Sequence, residues 1–140
     1  FIVIIFLFKY SKRIDMNQLR IEKTKSTPEI DFDPQKRILS IEGESYPENT
    51  VVFYEPIIQW LEEFVSAPGG SIEMNVELTY FNSSSSKVLM DIFELLDENA
   101  DDEKEITVYW LYDQEDESME EYGEEFAEDV ENITFNIKTK

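Results

Sequence analysis

The apolar residues of this chain repeat with two different periods, and the two periods alternate along most of its length. Residues 71–81 and 106–112 carry the apolar pattern of β-strands, and a stripe of apolar residues with helical spacing follows each of them. Each such element has an apolar face that another element must cover, and strands that alternate with helices do this as helices packed on a sheet. The alternation therefore predicts an α/β sandwich.

The first part of the sheet is predicted to hold a short strand and a hairpin. Leu19 and Ile21 mark the short strand. Apolar residues then alternate on both sides of residues 33–36, where Pro34 presets φ for the second position of a type I turn. The hairpin strands are marked by Ile30 and Phe32 before the turn and by Leu39 and Ile41 after it.

Three further strands are predicted, which brings the sheet to five or six. The expected buried face of residues 71–81 consists of Ile72, Met74, Val76, Leu78 and Tyr80. The run 106–112, ITVYWLY, is apolar on both faces apart from Thr107, as in a central strand that is covered on both sides. The last strand is marked by Ile133, Phe135 and Ile137.

Three main helices are predicted from apolar residues spaced three and four apart. Their expected ranges are Ile57 to Phe64, Val88 to Leu96 and Met119 to Val130. The first helix has two possible starting points. Pro56 fits either its first turn or the interior of a longer helix that starts near Asn49.

The first fifteen residues, FIVIIFLFKYSKRID, differ from the rest of the chain. Their apolar run ends at Phe8, well short of the roughly 20 residues that span a bilayer, and it lacks the basic start and cleavage site of a secretory signal. We expect translation to begin at Met16, which makes residues 1–15 an extension outside the fold and residues 16–140 a single domain. The alternative is a short membrane-associating tail. Its basic residues would be Lys9, Lys12 and Arg13.

Composition excludes several functions. The chain has 32 acidic and 12 basic residues and a net charge of −20, which repels nucleic acid and anionic membranes because phosphate binding needs Lys and Arg. It contains no Cys and no His, so disulfides, thiolate metal sites and Ser-His-Asp triads cannot form. We expect a cytoplasmic protein that binds another protein, without a cofactor and without catalysis of its own.

The carboxylates are concentrated between Asp91 and Glu131, and we interpret them as solvated faces of helices and loops. Neither DENADDEKE nor DQEDESMEE has the spacing of an EF-hand calcium loop, so no metal site is predicted. No pair of carboxylates stands apart from its neighbours, which leaves a carboxylate-based hydrolase as an alternative without a defined site. The negative charge is also expected to steer a basic partner surface.

The loops at 45–50, 82–86 and 113–118 are predicted to lie at one edge of the sheet. Right-handed crossovers bring the carboxyl ends of parallel strands to the same edge, where open α/β sheets bind ligands and partners. Four serines, Ser83 to Ser86, stand there at the start of a helix. They either cap the helix or accept a phosphate that the helix dipole and Lys87 would stabilise.

Three segments in combination resemble the SiaC family of bacterial regulatory phosphoproteins. They are GESYPENTVVFYEPIIQWLEEF, LTYFNSSSSKVLMDIFELLDE and YWLYDQEDE with the later EEFAED. The similarity runs from about Thr24 to about Asp129. It implies a STAS-like single domain with a mixed sheet, as in the antagonists of anti-sigma factors. It also implies partner switching through phosphorylation of a hydroxyl at the start of the helix after the central strand.

The family's Asn-Thr-Ser-Ser motif falls on Asn82, Ser83, Ser84 and Ser85, where Ser83 takes the place of the family's Thr. The resemblance thus implies that Ser83 is the phosphoacceptor. The fallback acceptors are Ser84, Ser85 and Ser86, and the surroundings of the site are Asn82, Ser84, Ser85 and Lys87. The implied partner interface consists of Tyr46, Pro47, Glu48 and Asn49, together with Asp113.

The resemblance also implies three protein partners. A serine/threonine kinase with a histidine-kinase-like ATP-binding fold adds the phosphate, and a metal-dependent serine/threonine phosphatase removes it. The downstream target can be a diguanylate cyclase, an enzyme that makes the cyclic dinucleotide signal of biofilm control. The alternative left open by the residues themselves is a structural interaction module in which the serines only cap the helix.

Overall fold

The predicted alternation of strands and helices is confirmed in the computed structural model, which describes residues 16–140. In this range the chain forms a six-stranded mixed sheet, ordered β1 to β6 as in the sequence, and three main helices. The strands are β1 (Leu19–Ile21), β2 (Glu29–Asp33), β3 (Ile38–Ser45), β4 (Ile72–Phe81), β5 (Ile106–Tyr112) and β6 (Thr134–Thr139). The helices are α1 (Thr50–Ser66), α2 (Ser83–Asn99) and α3 (Glu117–Glu128). The expected extension at residues 1–15 lies outside the described residues.

The three helices share one face of the sheet. β3, β4, β5 and β6 are parallel neighbours in chain order, and one helix connects each pair. Right-handed crossovers that always step in the same direction put every connecting helix on the same side. The core therefore lies between that side and the helices, and its largest fully buried side chains include Trp110, Tyr54, Phe32 and Phe93.

This topology corrects the prediction that residues 106–112 are covered on both sides. They form β5, but burial alternates along the strand, so that Trp110 is buried whereas Tyr109 and Leu111 are only half-buried. No helix of the described chain remains for the second face. Its apolar side chains are sheltered within the sheet instead. The ammonium group of Lys138 on β6, for example, lies 4.9 Å from the centre of the Tyr109 ring.

β4 departs from the predicted alternation near its end. Its pairing with β3 skips Thr79, which is therefore the extra residue of a β-bulge. An extra residue reverses the faces of the strand beyond it. Tyr80, predicted to be buried, is 50% exposed, and Phe81 turns toward the helices, where its ring lies 6.0 Å from that of Trp110.

The hairpin of β2 and β3 is confirmed. Asp33 pairs with Ile38, and the side-chain oxygen of Asp33 accepts hydrogen bonds from the amides of Gln35 and Lys36 at 2.9 and 3.1 Å. The turn closes through Arg37, whose φ of 59° lies in the left-handed region.

The helices begin earlier than their apolar stripes. α1 starts at Thr50, because the side chain of Asn49 accepts a hydrogen bond from the amide of Val52 at 3.1 Å and so caps the helix. The alternative of a longer helix with Pro56 in its interior is thus the correct one. α2 likewise includes all four serines of the cluster. Within residues 16–140, no helix is long and apolar enough to cross a membrane.

Candidate functional site

The carboxyl ends of β3 and β4 lie side by side and bring two of the predicted loops together. Ser45 at the end of β3 pairs with Phe81 at the end of β4. The amide of Asn82 then donates a hydrogen bond to the carbonyl of Ser45 at 3.0 Å. The start of α2 is therefore tied directly to the start of the SYPEN loop, residues 45–49. β5 is the parallel neighbour of β4, so the loop at 113–118 leaves the sheet at the same edge.

The cap of α2 is made by Asn82, not by a serine. The Oδ1 atom of Asn82 accepts a hydrogen bond from the amide of Ser85 at 2.9 Å. The carbonyl of Asn82 accepts the first helical hydrogen bond, from the amide of Ser86 at 2.9 Å. Since an asparagine already satisfies the role that Ser hydroxyls often fill, capping does not explain the serine cluster.

The four serines have different environments. Ser83 and Ser84 are exposed, Ser86 is half-buried, and the side chain of Ser85 is fully enclosed. Two serine hydroxyls of the cluster are therefore exposed to solvent, and a third is not accessible.

The enclosed serine belongs to a chain of three buried hydroxyls. The Oγ atom of Ser85 lies 2.8 Å from that of Ser45, which lies 2.6 Å from the hydroxyl of Tyr54 on α1. Burial raises the pKa of the Tyr54 hydroxyl above its ordinary value, and the hydrogen bond with Ser45 opposes that shift. We refer to Tyr54, Ser45 and Ser85 below as the hydroxyl chain.

The electrostatic potential at the first turn of α2 would favour a negatively charged group. This turn contains no acidic residue, and neither does the first turn of α1. The first turn of α3, by contrast, contains Glu117 and Glu120. A helix N-terminus carries a partial positive charge, and at α2 no carboxylate of the same turn offsets it. Lys87 is four residues after Ser83, a spacing that places both on the same side of the helix.

A shallow groove of about 470 Å³ separates the first turns of α1 and α2. Its α2 wall consists of Ser84, Lys87, Val88 and Asp91. Its other wall consists of Glu48, Asn49, Thr50 and Val51. Val51 and its neighbour Val52 are 73% and 64% exposed, so two adjacent apolar side chains lie open at the rim of the groove.

Two residues of the SYPEN loop have structural roles, and two others have side chains at the surface. Pro47 is buried, and Asn49 uses its side chain to cap α1. The ring of Tyr46 is half-buried and meets that of Tyr80 edge to face at 5.6 Å. Glu48 is exposed beside the groove. Tyr46 and Glu48 are therefore the loop residues with side chains free to touch another protein.

Asp113 is exposed in the loop after β5. Its carboxylate accepts a hydrogen bond from the amide of Glu115 at 2.9 Å, and its carbonyl accepts one from the amide of Asp116 at 2.8 Å. These bonds shape its own loop, so Asp113 is connected to the serines only through the neighbouring strands.

Two parts of the site were missed in the sequence, although each had a signal. Ser45 is a polar residue at a position of β3 where the alternation from Leu39 and Ile41 demands an inward side chain. Val51 and Val52 are adjacent apolar residues off the buried stripe of α1. Within residues 16–140, no group of three or more acidic side chains is placed to hold a metal ion.

Comparisons with known proteins identify the family of this chain. A family model described as "SiaC family regulatory phosphoprotein" matches residues 21–140. An uncharacterized protein of Pseudomonas aeruginosa strain UCBPP-PA14 is 40% identical over 114 residues, which cover 81% of this chain and 90% of that protein.

Solved structures are similar over nearly the same range. SiaC of Pseudomonas aeruginosa matches with a TM-score of 0.82 and 37% identity, over 89% of this chain and 100% of that one. The crystal structure of the diguanylate cyclase SiaD in complex with its activator SiaC, from the same organism, contains a chain that matches with a TM-score of 0.82 and 38% identity. That match covers 87% of this chain and 99% of the other.

Proposed function

Since this chain belongs to the SiaC family of regulatory phosphoproteins, we propose that it is a partner-switching protein without catalysis of its own. It binds a downstream target in one phosphorylation state and releases it in the other. The related SiaC is the activator of the diguanylate cyclase SiaD, with which it forms a complex. A diguanylate cyclase is accordingly the class of target proposed for this chain.

The observation that carries the proposal is the exposure of Ser83 at a helix start that Asn82 already caps. The hydroxyl of Ser83 has no structural task to lose on modification. A phosphate there would lie at the positive end of the α2 dipole and on the side of the helix that carries Lys87. Ser84 is the remaining fallback, because Ser85 is enclosed and Ser86 is half-buried.

The same geometry suggests how the phosphate would control binding. It would add about −1.5 to −2 charges at neutral pH beside the groove that Glu48 and Asp91 already line. A partner that covers the groove must take this charge out of water or move away from it, and desolvation of a charge is costly even beside a cation such as Lys87. The unmodified protein is therefore the form proposed to bind the target through the groove and the SYPEN loop.

The proposed kinase and phosphatase follow from the family resemblance. The kinase has a histidine-kinase-like ATP-binding fold, and the phosphatase is metal-dependent and acts on phosphoserine. Because the kinase draws on ATP, the proposed place of action is the cytoplasm.

The acceptor can be tested by purifying the wild type and single variants from the native host and measuring intact mass with and without phosphatase treatment. We expect one phosphate on the wild type and on Ser84→Ala, and none on Ser83→Ala. The melting temperature of Ser83→Ala should change by an amount equivalent to about 0.5 kcal/mol or less, because the cap is Asn82. If Ser83→Ala carried as much phosphate as the wild type, the acceptor would be another serine. If the wild type carried no phosphate, the proposed switch would be wrong.

Target binding gives a second measurement. Ser83→Asp carries a negative charge at the proposed acceptor and should bind a diguanylate cyclase of the same organism more weakly than Ser83→Ala does. The loss should shrink at high salt if charge repulsion causes it. Equal binding of the two variants at low salt would contradict the proposed direction of the switch.

A further inference from the structure

The hydroxyl chain connects the three elements that form the switch edge. Tyr54 lies on α1, Ser45 ends β3, and Ser85 lies in the first turn of α2. Ser45 stands in the middle, where its hydroxyl can accept a hydrogen bond from one neighbour and donate to the other. Its carbonyl also accepts the amide of Asn82. Ser45 is thus the side chain at which α1, β3 and α2 are joined.

The serine of the cluster that faces inward brings a hydroxyl to a buried position, where it needs a hydrogen-bond partner. The cap by Asn82 fixes where α2 begins, but it does not by itself fix how the first turn is seated against β3. The buried stripe of α2 continues back from Ile92 and Leu89 to Ser85, so helical spacing turns this serine inward. Spacing alone does not supply a hydrogen-bond partner for the inward hydroxyl.

The hydroxyl chain supplies that partner and holds the first turn against β3. The side chains of Ser45 and Ser85 are both 0% exposed, and a buried hydroxyl that loses its partner costs considerably more than an exposed one. If the first turn shifted so that another serine faced inward, Ser45 and Tyr54 would have to re-form their bonds with a hydroxyl in a different place. The observed seating satisfies all three hydroxyls, and no buried polar side-chain atom of the described residues lacks a partner.

We propose that Ser45, Ser85 and Tyr54 are positioning residues that hold the first turn of α2 in one seating and thereby decide which serines are presented for phosphorylation. Ser85 is held inward and excluded from modification, and Ser83 and Ser84 are held outward. The part of this inference that concerns phosphorylation rests on the proposed function. The seating of the helix does not.

The first test is hydrogen exchange of the purified protein, which needs no kinase. Ser45→Ala should speed exchange of the Asn82 and Ser86 amides by about tenfold, the loss expected for one buried hydrogen bond. Amides in the middle of α2 should be unaffected. The matched control is Ser40→Ala, which removes a serine of the same strand on the open face of the sheet. Unchanged exchange at the first turn, or an equal increase along all of α2, would overturn the proposal.

The second test locates the phosphate by fragment mass spectrometry on protein purified from the host. The wild type should carry phosphate on one serine, whereas Ser45→Ala and Tyr54→Phe should divide it among Ser83, Ser84 and Ser85. The controls Ser40→Ala and Tyr109→Phe should keep the wild-type position. A single unchanged position in the two chain variants would overturn selection by the hydroxyl chain.

The two tests separate this inference from the proposed function. If the wild type takes up no phosphate, the proposed function fails, and hydrogen exchange alone decides whether the hydroxyl chain seats the helix. If the wild type is phosphorylated and the first turn exchanges equally in Ser45→Ala and wild type, the proposed function stands and the positioning role fails.

Discussion

Ser45 and Ser85 are the fully buried polar residues of the described chain, and they bond to each other. A buried hydroxyl contributes little net stability while it is bonded, but it is costly when it is left without a partner. An arrangement that breaks the bond between Ser45 and Ser85 would leave buried hydroxyls without partners. The free-energy difference that favours the observed arrangement is therefore larger than the net energy of the bond itself. At the scale of single residues, the specificity of the switch edge depends on these two side chains and on Tyr54.

The buried phenol of Tyr54 should make stability depend on alkaline pH. Its pKa is raised in the folded protein, chiefly by burial, so folding favours the neutral form. This contribution is fully present below the unfolded pKa of 10.0 and is lost as the pH rises through the higher folded value. We expect the melting temperature of the wild type to fall more steeply than that of Tyr54→Phe between about pH 9 and pH 11.

The comparison isolates Tyr54 because other groups are the same in both proteins. The pKa of Tyr112 is also raised, first by its hydrogen bond to Glu120, and this contribution cancels in the difference. Parallel pH profiles for the wild type and Tyr54→Phe would show that the phenol is not buried as described.

α3 approaches the sheet at a glycine. A Cβ atom on Gly123 would lie 2.5 Å from Cδ1 of Trp110, a distance that real contacts do not reach. The indole of Trp110 also donates a hydrogen bond to the carbonyl of Met119 at 2.8 Å, one turn earlier in the helix. The bulky Trp110 can therefore be fully buried under α3 only because the helix has no side chain at position 123.

Gly123→Ala should thus destabilise the protein, against the usual effect of this change within a helix. Alanine normally gains roughly 1 kcal/mol over glycine inside a helix, whereas overpacking a core costs about 1–3 kcal/mol. We expect a net loss of about 1 kcal/mol in urea-induced unfolding. The matched control is Gly70→Ala, where an added Cβ meets no atom within 4 Å. A stabilised Gly123→Ala protein would show that α3 can shift away from Trp110 without cost.

The types of the elements could be predicted because they follow from local periodicity. The α2 stripe at Leu89, Ile92, Phe93 and Leu96 is buried, as expected for a helix of this spacing. The ends of elements depend on single capping bonds, such as that of Asn49, which an apolar stripe cannot reveal. The reversal at Thr79 depends on a bulge in the pairing with β3, and this too leaves no trace in the alternation.

The site was predictable in its location and not in its detail. Crossover topology places the serine cluster at the carboxyl edge of the sheet from sequence pattern alone. The hydrogen bonds that hold the inward serine depend on Ser45 and Tyr54, which are 40 and 31 residues from Ser85 in the chain. The α2 stripe at Leu89 and Ile92, extended back by one turn, does place Ser85 on the buried face, but it does not reveal the hydroxyl partner.

At the scale of the whole molecule, the net charge of −20 sets the electrostatics. The ion pairs given for the described residues join exposed or half-exposed side chains at 3.8–4.0 Å. These pairs are Arg20–Glu29, Lys23–Glu42 and Lys140–Glu77. Surface pairs of this kind contribute little to stability, so repulsion among the carboxylates is the larger effect of charge on the fold.

Added salt should therefore raise stability and weaken the partner complex. Screening shortens the reach of surface charges from about 30 Å at 0.01 M to about 8 Å at 0.15 M ionic strength. We expect the melting temperature to rise over this range of sodium chloride. At this net charge, screening weakens more repulsion between carboxylates than attraction between opposite charges. The rise should be smaller in a variant with Glu124→Lys and Glu125→Lys, two exposed residues of α3.

Binding to a target with a basic surface should respond in the opposite direction, because there salt screens an attraction. The affinity of the wild type for the target should fall over the range in which its own melting temperature rises, and mainly through a slower association rate. Salt also has a general effect on apolar burial, which strengthens both folding and apolar association. A melting temperature that rises with salt while the affinity falls would therefore show that charge effects, and not this general effect, cause both changes. Affinity that rose together with the melting temperature would show that apolar contacts, such as those offered by Val51 and Val52, dominate the interface.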